Sequence, residues 1–170
     1  MLIIIFSLFQ ILFALFFAYL CVAFITGAPY VPSTTPTADT MIALSHLKRG
    51  MTVYDLGSGD GKLLLLAAKY GVNAIGFEIN PFLVLFTKIK TLFSPYRKTV
   101  SARIQNFWTA DLTDADVVFV YLLPWRMDTL ELKLKKDCKK GTLIVSNSFI
   151  FPHLKKVASN TKNHVYTFKI

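Results

Sequence analysis

The stretch V-Y-D-L-G-S-G-D-G-K, Val53 to Lys62, decides the fold of this chain. It places three glycines and two aspartates directly behind an apolar run, so it could be a tight turn, a phosphate cradle or the floor of a nucleoside site. It lacks the Gly-Lys-Ser/Thr ending of a P-loop, and its G-x-G-x-G spacing differs from the G-x-G-x-x-G of nicotinamide binders. An apolar strand before it and a helical pattern after it indicate the first strand-to-helix turn of an α/β fold.

Strands and helices alternate along the rest of the chain. Apolar runs predict strands at residues 52–56, 73–79, 102–107, 116–122, 142–150 and 165–170, and helical patterns lie at 38–47, 62–70, 81–93 and 125–136. Asp39 or Thr40 is expected near the N-cap of the first of these helices, and Pro81 takes the favoured first position of the third. This alternation predicts an α/β domain with a mostly parallel sheet and helices on both faces.

The glycine loop has the features of a ligand site. In such sheets ligands bind beyond the carboxyl ends of the strands. Glu78 ends the second predicted strand, 23 residues after Asp55, where its carboxylate can accept hydrogen bonds from both hydroxyls of a ribose. Asp60 within the loop would repel a pyrophosphate, whereas Asp55 and Asp60 both suit a cofactor with a cationic amino-acid end.

The sequence resembles a known family at these residues. D-L-G-S-G-D-G (Asp55–Gly61) with an acid ending strand two is similar to the fingerprint of class I S-adenosylmethionine-dependent methyltransferases. P-Y-V-P-S (Pro29–Ser33), G-F-E-I-N-P-F-L-V (Gly76–Val84), F-P-H (Phe151–His153) and an N-terminal apolar span resemble the membrane-anchored protein-lysine N-methyltransferases. That family is related to the lysine methyltransferases of the ATP synthase c-subunit and the adenine nucleotide translocase. The resemblance implies a Rossmann-like sheet, S-adenosyl-L-methionine as cofactor and a lysine of a membrane protein as substrate.

The resemblance also implies which residues hold the cofactor. Glu78 would hold the ribose, and the first loop residues would line the methionine end. Asn106 occupies a position that often carries an Asp facing the adenine amine. The full implied set is Asp55, Gly57, Ser58, Gly59, Gly61, Glu78, Asn80 and Asn106. L-L-P-W (Leu122–Trp125) stands where enzymes that methylate amide or base nitrogens carry N/D-P-P-Y, which disfavours those activities.

Four further residues are candidates for the reaction itself. A lysine nucleophile must lose its proton, and an aromatic pocket beside a cation lowers the lysine pKa. We expect Tyr30, Tyr121 and Trp125 to form the pocket walls and Asp111 to orient the amine. A methyltransferase acting on a lipid or quinone and a non-catalytic binding module of the same fold are the alternatives. A nucleic-acid methyltransferase is disfavoured, because no aromatic–basic interleaving accompanies the charge.

The N-terminus predicts a membrane anchor. Leu2 to Thr26 carries no charged side chain, and seventeen of these residues are Leu, Ile, Phe or Val. A helix of this length reaches about 37 Å, enough to cross a bilayer. A cleaved signal peptide is disfavoured because no basic region precedes the apolar run. Lys48 and Arg49 follow it, which predicts a single-pass protein with its catalytic domain in the cytoplasm.

Three regions follow from these patterns. They are a transmembrane anchor at 1–26, a Pro/Thr-rich extended linker at 27–40 and a cofactor-binding domain at 41–170. The net charge of +9 favours an anionic partner such as nucleic acid or a lipid surface. The apolar run Phe82–Phe86 could touch a membrane or pack on the sheet, and packing is favoured. No metal site is expected, since His46, His153 and His164 lack ligand spacing.

Overall fold

A computed structural model describes the backbone of residues 1–26 and 30–170, with the side chains of these residues except 19, 20 and 22–26. Pro29 and the first residues of the predicted linker therefore lie outside the described residues. The helices are α1 (Leu2–Thr26), α2 (Thr35–Leu44), α3 (Lys62–Ala68), α4 (Pro81–Leu92) and α5 (Met127–Asp137). The strands are β1 (Thr52–Leu56), β2 (Asn73–Glu78), β3 (Val100–Ile104), β4 (Val117–Val120), β5 (Leu143–Asn147), β6 (Lys155–Asn160) and β7 (Val165–Lys169).

The strands form one seven-stranded sheet in the order β3-β2-β1-β4-β5-β7-β6. The first five strands pair in parallel, and β7 runs antiparallel to both β5 and β6. The predicted α/β fold with a mostly parallel sheet is therefore confirmed. Strand β6 was not predicted, because it begins with two lysines and lies at the sheet edge, where its exposed residues give no apolar alternation.

The core lies on both faces of the sheet. In β4 the side chains of Val117 and Phe119 join the cluster formed with α2 and α3, whereas Val118 and Val120 join the cluster formed with α5. All four are buried, as expected for a central strand covered on both sides. This arrangement confirms the prediction of helices on both faces, and it leaves the carboxyl ends of the parallel strands at one edge of the sheet.

Helix α2 begins earlier than predicted. Its N-cap is Thr34, whose hydroxyl accepts a hydrogen bond from the backbone N–H of Thr37 at 3.3 Å. Asp39 and Thr40 lie inside the helix, so the expected N-cap at either residue was wrong. Proline is tolerated in the first turn of a helix because the N–H it lacks has no partner there. Pro36 therefore lies in the first turn of α2, and the extended linker does not reach Thr40.

The N-terminal helix α1 is 25 residues long, and its sequence carries no charged side chain. Thirteen large apolar side chains between Leu2 and Phe17 are exposed. The predicted membrane-spanning helix is nevertheless not supported. Within the residues described, no helix has the length and apolar character needed to cross a membrane.

Candidate active site

A cleft opens at the carboxyl ends of β1, β2 and β4, where the glycine loop leaves β1. Two segments distant in sequence meet there: the loop with its neighbouring strand ends, and a short segment, Tyr30–Ser33, that precedes α2. The lining residues are Tyr30, Val31, Pro32, Ser33, Asp55, Gly57, Ser58, Gly59, Asp60, Lys62, Leu63, Glu78, Val120 and Tyr121. This is the edge at which ligands bind in doubly wound sheets.

The carboxylate of Glu78 is fixed on both oxygens. Its Oε2 accepts a hydrogen bond from the backbone N–H of Gly59 at 3.0 Å, and its Oε1 accepts one from the backbone N–H of Asn80 at 2.9 Å. Each carboxylate oxygen has a second lone pair that can accept another hydrogen bond. Glu78 therefore joins the glycine loop to the end of β2 and keeps capacity to bind hydroxyl groups.

Two buried polar side chains lie under the loop. Asp55 is only 5% exposed. Burial, followed by the nearby negative charges of Glu78 and Asp60, raises the pKa of Asp55 to about 7. The hydroxyl of Ser58 is buried and has no hydrogen-bond partner among the described residues. A cationic ligand group beside Asp55 would offset the cost of its buried charge, whereas the hydroxyl of Ser58 lies against Gly76 of β2 and Leu64 of α3.

The segment Tyr30–Ser33 covers the loop. A Cβ added at Gly59 would lie 2.8 Å from Cε2 and 3.0 Å from Cδ2 of the Tyr30 ring, so the ring packs directly on the glycine backbone. Gly59 also has a φ of +52°, a conformation that favours glycine. Partial burial, with Asp60 and Glu78 nearby, raises the pKa of the Tyr30 phenol.

Two side chains from the core domain hold this covering segment. The ammonium of Lys62, the first residue of α3, donates to the carbonyl of Ser33 at 2.9 Å and to the hydroxyl of Thr35 at 3.1 Å. The side-chain amide of Asn147, at the end of β5, donates to the hydroxyl of Ser33 at 3.1 Å. Neither residue was predicted from the sequence. Lys62 ends the quoted stretch, but no local pattern indicates that it reaches a segment 29 residues away.

Helix α4 holds the loop from the opposite side. The hydroxyl of Thr87 donates to the carbonyl of Gly59 at 3.2 Å. The ammonium of Lys90 donates to the backbone carbonyl of Asp60 at 2.7 Å and pairs with its carboxylate at 3.0 Å. The other carboxylate oxygen of Asp60 accepts from the N–H of Lys62 at 3.3 Å. Asp60 is thus engaged in fixing the loop as well as lining the cleft.

Seven of the predicted site residues line the cleft together: Tyr30, Asp55, Gly57, Ser58, Gly59, Glu78 and Tyr121. Tyr121 is half-buried, and its ring stacks on Phe149 with a centroid distance of 6.4 Å. Gly61 lies at the end of the loop, as the N-cap of α3 with a φ of +74°. A side chain there would collide with Thr87.

The other predicted residues lie outside the cleft lining. The carboxamide oxygen of Asn80 caps α4 by accepting from the N–H of Phe82 at 2.9 Å. The oxygen of Asn106 accepts from the N–H of Trp108 at 3.1 Å in the same way. Asp111 is exposed and accepts from the N–H of Thr113 at 2.9 Å. Trp125 is 51% exposed in the turn that precedes α5.

No metal centre is evident in the described part of the chain. None of its His, Cys, Asp and Glu side chains gather in groups of three or more that could hold an ion. The cleft instead offers fixed carboxylates, backbone groups and two tyrosines, which suits an organic cofactor with hydroxyl and cationic groups.

Comparison with known proteins identifies related sequences. Residues 55–158 match the profile of the ANTKMT methyltransferase domain. The chain is 30% identical over 125 residues to the human ATP synthase c-subunit lysine N-methyltransferase, covering 74% of this chain and 53% of that protein. It is 32% identical over 161 residues to a protein-lysine N-methyltransferase of Saccharolobus islandicus, covering 87% of this chain and 97% of the relative. The chain thus spans about half the length of the first of these and nearly all of the second.

Solved structures with this fold include methyltransferases bound to a cofactor product. The RNA methyltransferase of Salinibacter ruber, in complex with S-adenosyl-L-homocysteine, superposes with a TM-score of 0.76 at 31% identity, covering 82% of this chain and 94% of that one. A methyltransferase of Geobacter sulfurreducens, also in complex with S-adenosyl-L-homocysteine, superposes with a TM-score of 0.61 at 22% identity, covering 79% of this chain and 55% of that one. The second likeness concerns the fold alone.

Proposed function

Because the chain belongs to the ANTKMT methyltransferase domain family, we propose that it is an S-adenosylmethionine-dependent methyltransferase that methylates protein lysines. The observation that carries this proposal is the carboxylate of Glu78, held on both oxygens by backbone N–H groups beside a buried Asp55. Fixed acceptors for ribose hydroxyls and a buried acid for a cationic amine fit S-adenosylmethionine and do not fit a phosphate group.

Each residue of the cleft has a proposed role in holding the cofactor. Glu78 accepts hydrogen bonds from the ribose hydroxyls, and Asp55 faces the cationic amino-acid end. Ser58 takes part as a residue of the loop that lines the cleft. Gly57 and Gly59 allow the loop backbone to approach the ligand closely. When bound, S-adenosylmethionine supplies an activated methyl group carried on a sulfonium.

The acceptor side of the cleft needs a neutral lysine. Deprotonating a lysine with a pKa near 10.4 at pH 7 costs about 4.6 kcal/mol, and an aromatic, water-excluding pocket lowers that cost by destabilising the ammonium. Tyr30 and Tyr121 are the proposed walls of this pocket. The phenol oxygen of Tyr30 can accept a hydrogen bond from the lysine amine. Trp125 remains the proposed third wall of this pocket and Asp111 the group proposed to orient the amine, although both are exposed and lie outside the cleft lining.

The proposed acceptor is a lysine on a membrane or membrane-associated protein. The names of the human relative and of a mouse relative, adenine nucleotide translocase lysine N-methyltransferase at 32% identity, specify lysines of particular proteins. The thirteen exposed apolar side chains of α1 would hold the domain at a lipid surface. Attachment there confines the search for a substrate to the membrane plane.

Labelled-methyl transfer tests the proposal. Membranes from cells that lack the protein are incubated with purified enzyme and methyl-labelled S-adenosylmethionine, and protein, lipid and RNA are then separated. Label recovered as methyl-lysine supports the proposed function, whereas label in lipid or RNA alone overturns the acceptor. Tyr30→Phe should lose methyl transfer while it binds the cofactor normally. Tyr70→Phe, at an exposed tyrosine of the same domain, is the matched control and should keep full activity.

A further inference from the structure

Helix α4 presents a continuous apolar face to solvent. Its inward side chains, Val84, Thr87 and Thr91, are at most 7% exposed. On the opposite side a run of large apolar residues recurs at helical spacing, and each is between 47% and 84% exposed. We call these residues the outer face of α4: Phe82, Leu85, Phe86, Ile89, Leu92 and Phe93. The helix therefore packs on the sheet through a narrow strip of small and hydroxyl side chains and leaves its most apolar side uncovered.

The exposed charges that flank this face along the chain are basic. Between residues 79 and 110 the chain has five basic residues and no acidic one. Lys88 on α4 is exposed, and so are Arg97 and Lys98 just beyond its end. An apolar stripe bordered by exposed basic residues matches the two layers of an anionic bilayer surface, acyl chains below and phosphate groups above. A protein partner would need a matching acidic rim, whereas an anionic membrane supplies it uniformly.

The outer face of α4 adjoins the other apolar surface of the chain. A cleft of about 600 Å³ lies between Leu15, Phe16 and Ala18 of α1 and the residues that open α4, Pro81 and Phe82 among them. Two exposed apolar elements thus meet at the edge of the sheet where the active-site cleft opens. Contact of both with one lipid surface would bring the cleft to the membrane, where the proposed substrate lies.

We propose that the outer face of α4 docks on an anionic bilayer surface as a second contact, distinct from α1. This inference rests on the proposed function only because both place the protein at a membrane. It assigns a role to α4 and does not depend on the methyl-transfer reaction. Each exposed basic residue near an anionic surface adds roughly fivefold to binding. Lys88, Arg97 and Lys98 together predict a gain on the order of a hundredfold for this contact on anionic over neutral lipid.

A fluorescent probe on α4 tests the docking. Ile89→Cys is made in the full chain with Cys21→Ser, labelled with an environment-sensitive dye and reconstituted in vesicles. Cys138 is buried, and burial raises its pKa to about 11, so it labels poorly. The matched control is Leu132→Cys, at an apolar residue 70% exposed on α5 with lysines beside it. With phosphatidylglycerol–phosphatidylcholine vesicles, the probe at 89 should shift to the blue and be quenched by lipid-borne quenchers, and the probe at 132 should not.

Two further measurements make the result decisive. Charge reversal of Lys88, Arg97 and Lys98 to Glu should abolish the shift at 89, while flotation of the protein with vesicles, which reports α1, persists. A probe at 89 that stays water-like on anionic vesicles overturns the docking proposal, even if methyl transfer and flotation are normal. A blue shift without vesicles that grows with protein concentration also overturns it, because a second copy would then cover the face.

Discussion

Replacing Glu78 by glutamine tests the central feature of the active site. The carboxylate accepts two backbone hydrogen bonds, at 3.0 Å from Gly59 and 2.9 Å from Asn80. An amide has a single oxygen, so its NH₂ group must face one of these N–H donors. The neutral amide then offers the ribose hydroxyls one acceptor fewer than the carboxylate does, so the complex loses one charge-assisted hydrogen bond to the ribose, at a cost of about 1.5–3 kcal/mol. Since about 1.4 kcal/mol is tenfold in affinity, Glu78→Gln should bind S-adenosylmethionine about 10- to 150-fold more weakly.

Isothermal titration calorimetry with S-adenosylmethionine measures this loss. Glu131→Gln is the matched control, because Glu131 is also buried and its carboxylate also accepts a backbone N–H, that of His153 at 3.0 Å. It lies on α5, outside the cleft. That variant should lower the melting temperature and leave cofactor affinity unchanged. If folded Glu78→Gln bound the cofactor within about threefold of wild type, the fixed carboxylate would not be the ribose site and the reasoning would be refuted.

Three further predictions concern the loop and the segment that covers it. Lys62→Met removes the ammonium that donates to the carbonyl of Ser33 at 2.9 Å. Backbone amides near the covering segment should then exchange hydrogen faster, and the cofactor should dissociate several-fold faster. Unchanged hydrogen exchange would show that Lys62 does not hold the covering segment. Because the pKa of Asp55 is raised from 3.8 to about 7, its ionised form destabilises the fold, and the stability present at low pH is lost as pH rises through 7. The free energy of unfolding should fall by up to about 4 kcal/mol between pH 4 and 7, and Asp55→Asn should remove that dependence in urea titrations. Gly59→Ala puts a methyl group 2.8 Å from the Tyr30 ring at a backbone conformation that favours glycine. This variant should lower the melting temperature by about 2–8 °C. Adding Tyr30→Ala removes the collision with the ring and should recover part of the loss.

Much of the fold and half of the site were predictable because they depend on local pattern. The strand endings, the glycine loop and Glu78 follow from short apolar runs and from turn chemistry, and these features also carried the resemblance to the methyltransferase family that the comparisons confirm. The alternation of strands and helices was sufficient for the parallel sheet. Each of these signals lies within about ten residues of the element it specifies.

The features that were missed depend on contacts between distant segments. Ser33 is held by Lys62 and by Asn147, 114 residues away, and nothing near any of the three indicates the contact. The outer face of α4 has the apolar pattern of a buried helix, so packing on the sheet was the favoured interpretation of Phe82–Phe86. Only the position of α4 beside β3, at the end of the sheet, explains why that pattern faces solvent.

The covering segment also determines where the chain can be cut. Crystallographers who remove an apolar helix such as α1 choose the new terminus from the apparent edge of the domain, which the sequence put at residue 41. A cut there would discard Tyr30 and Ser33 with the first half of α2, and would leave the ammonium of Lys62 without its carbonyl acceptor. A shortened protein that starts upstream of residue 30 retains both sides of the cleft, and is the version on which cofactor binding should be measured.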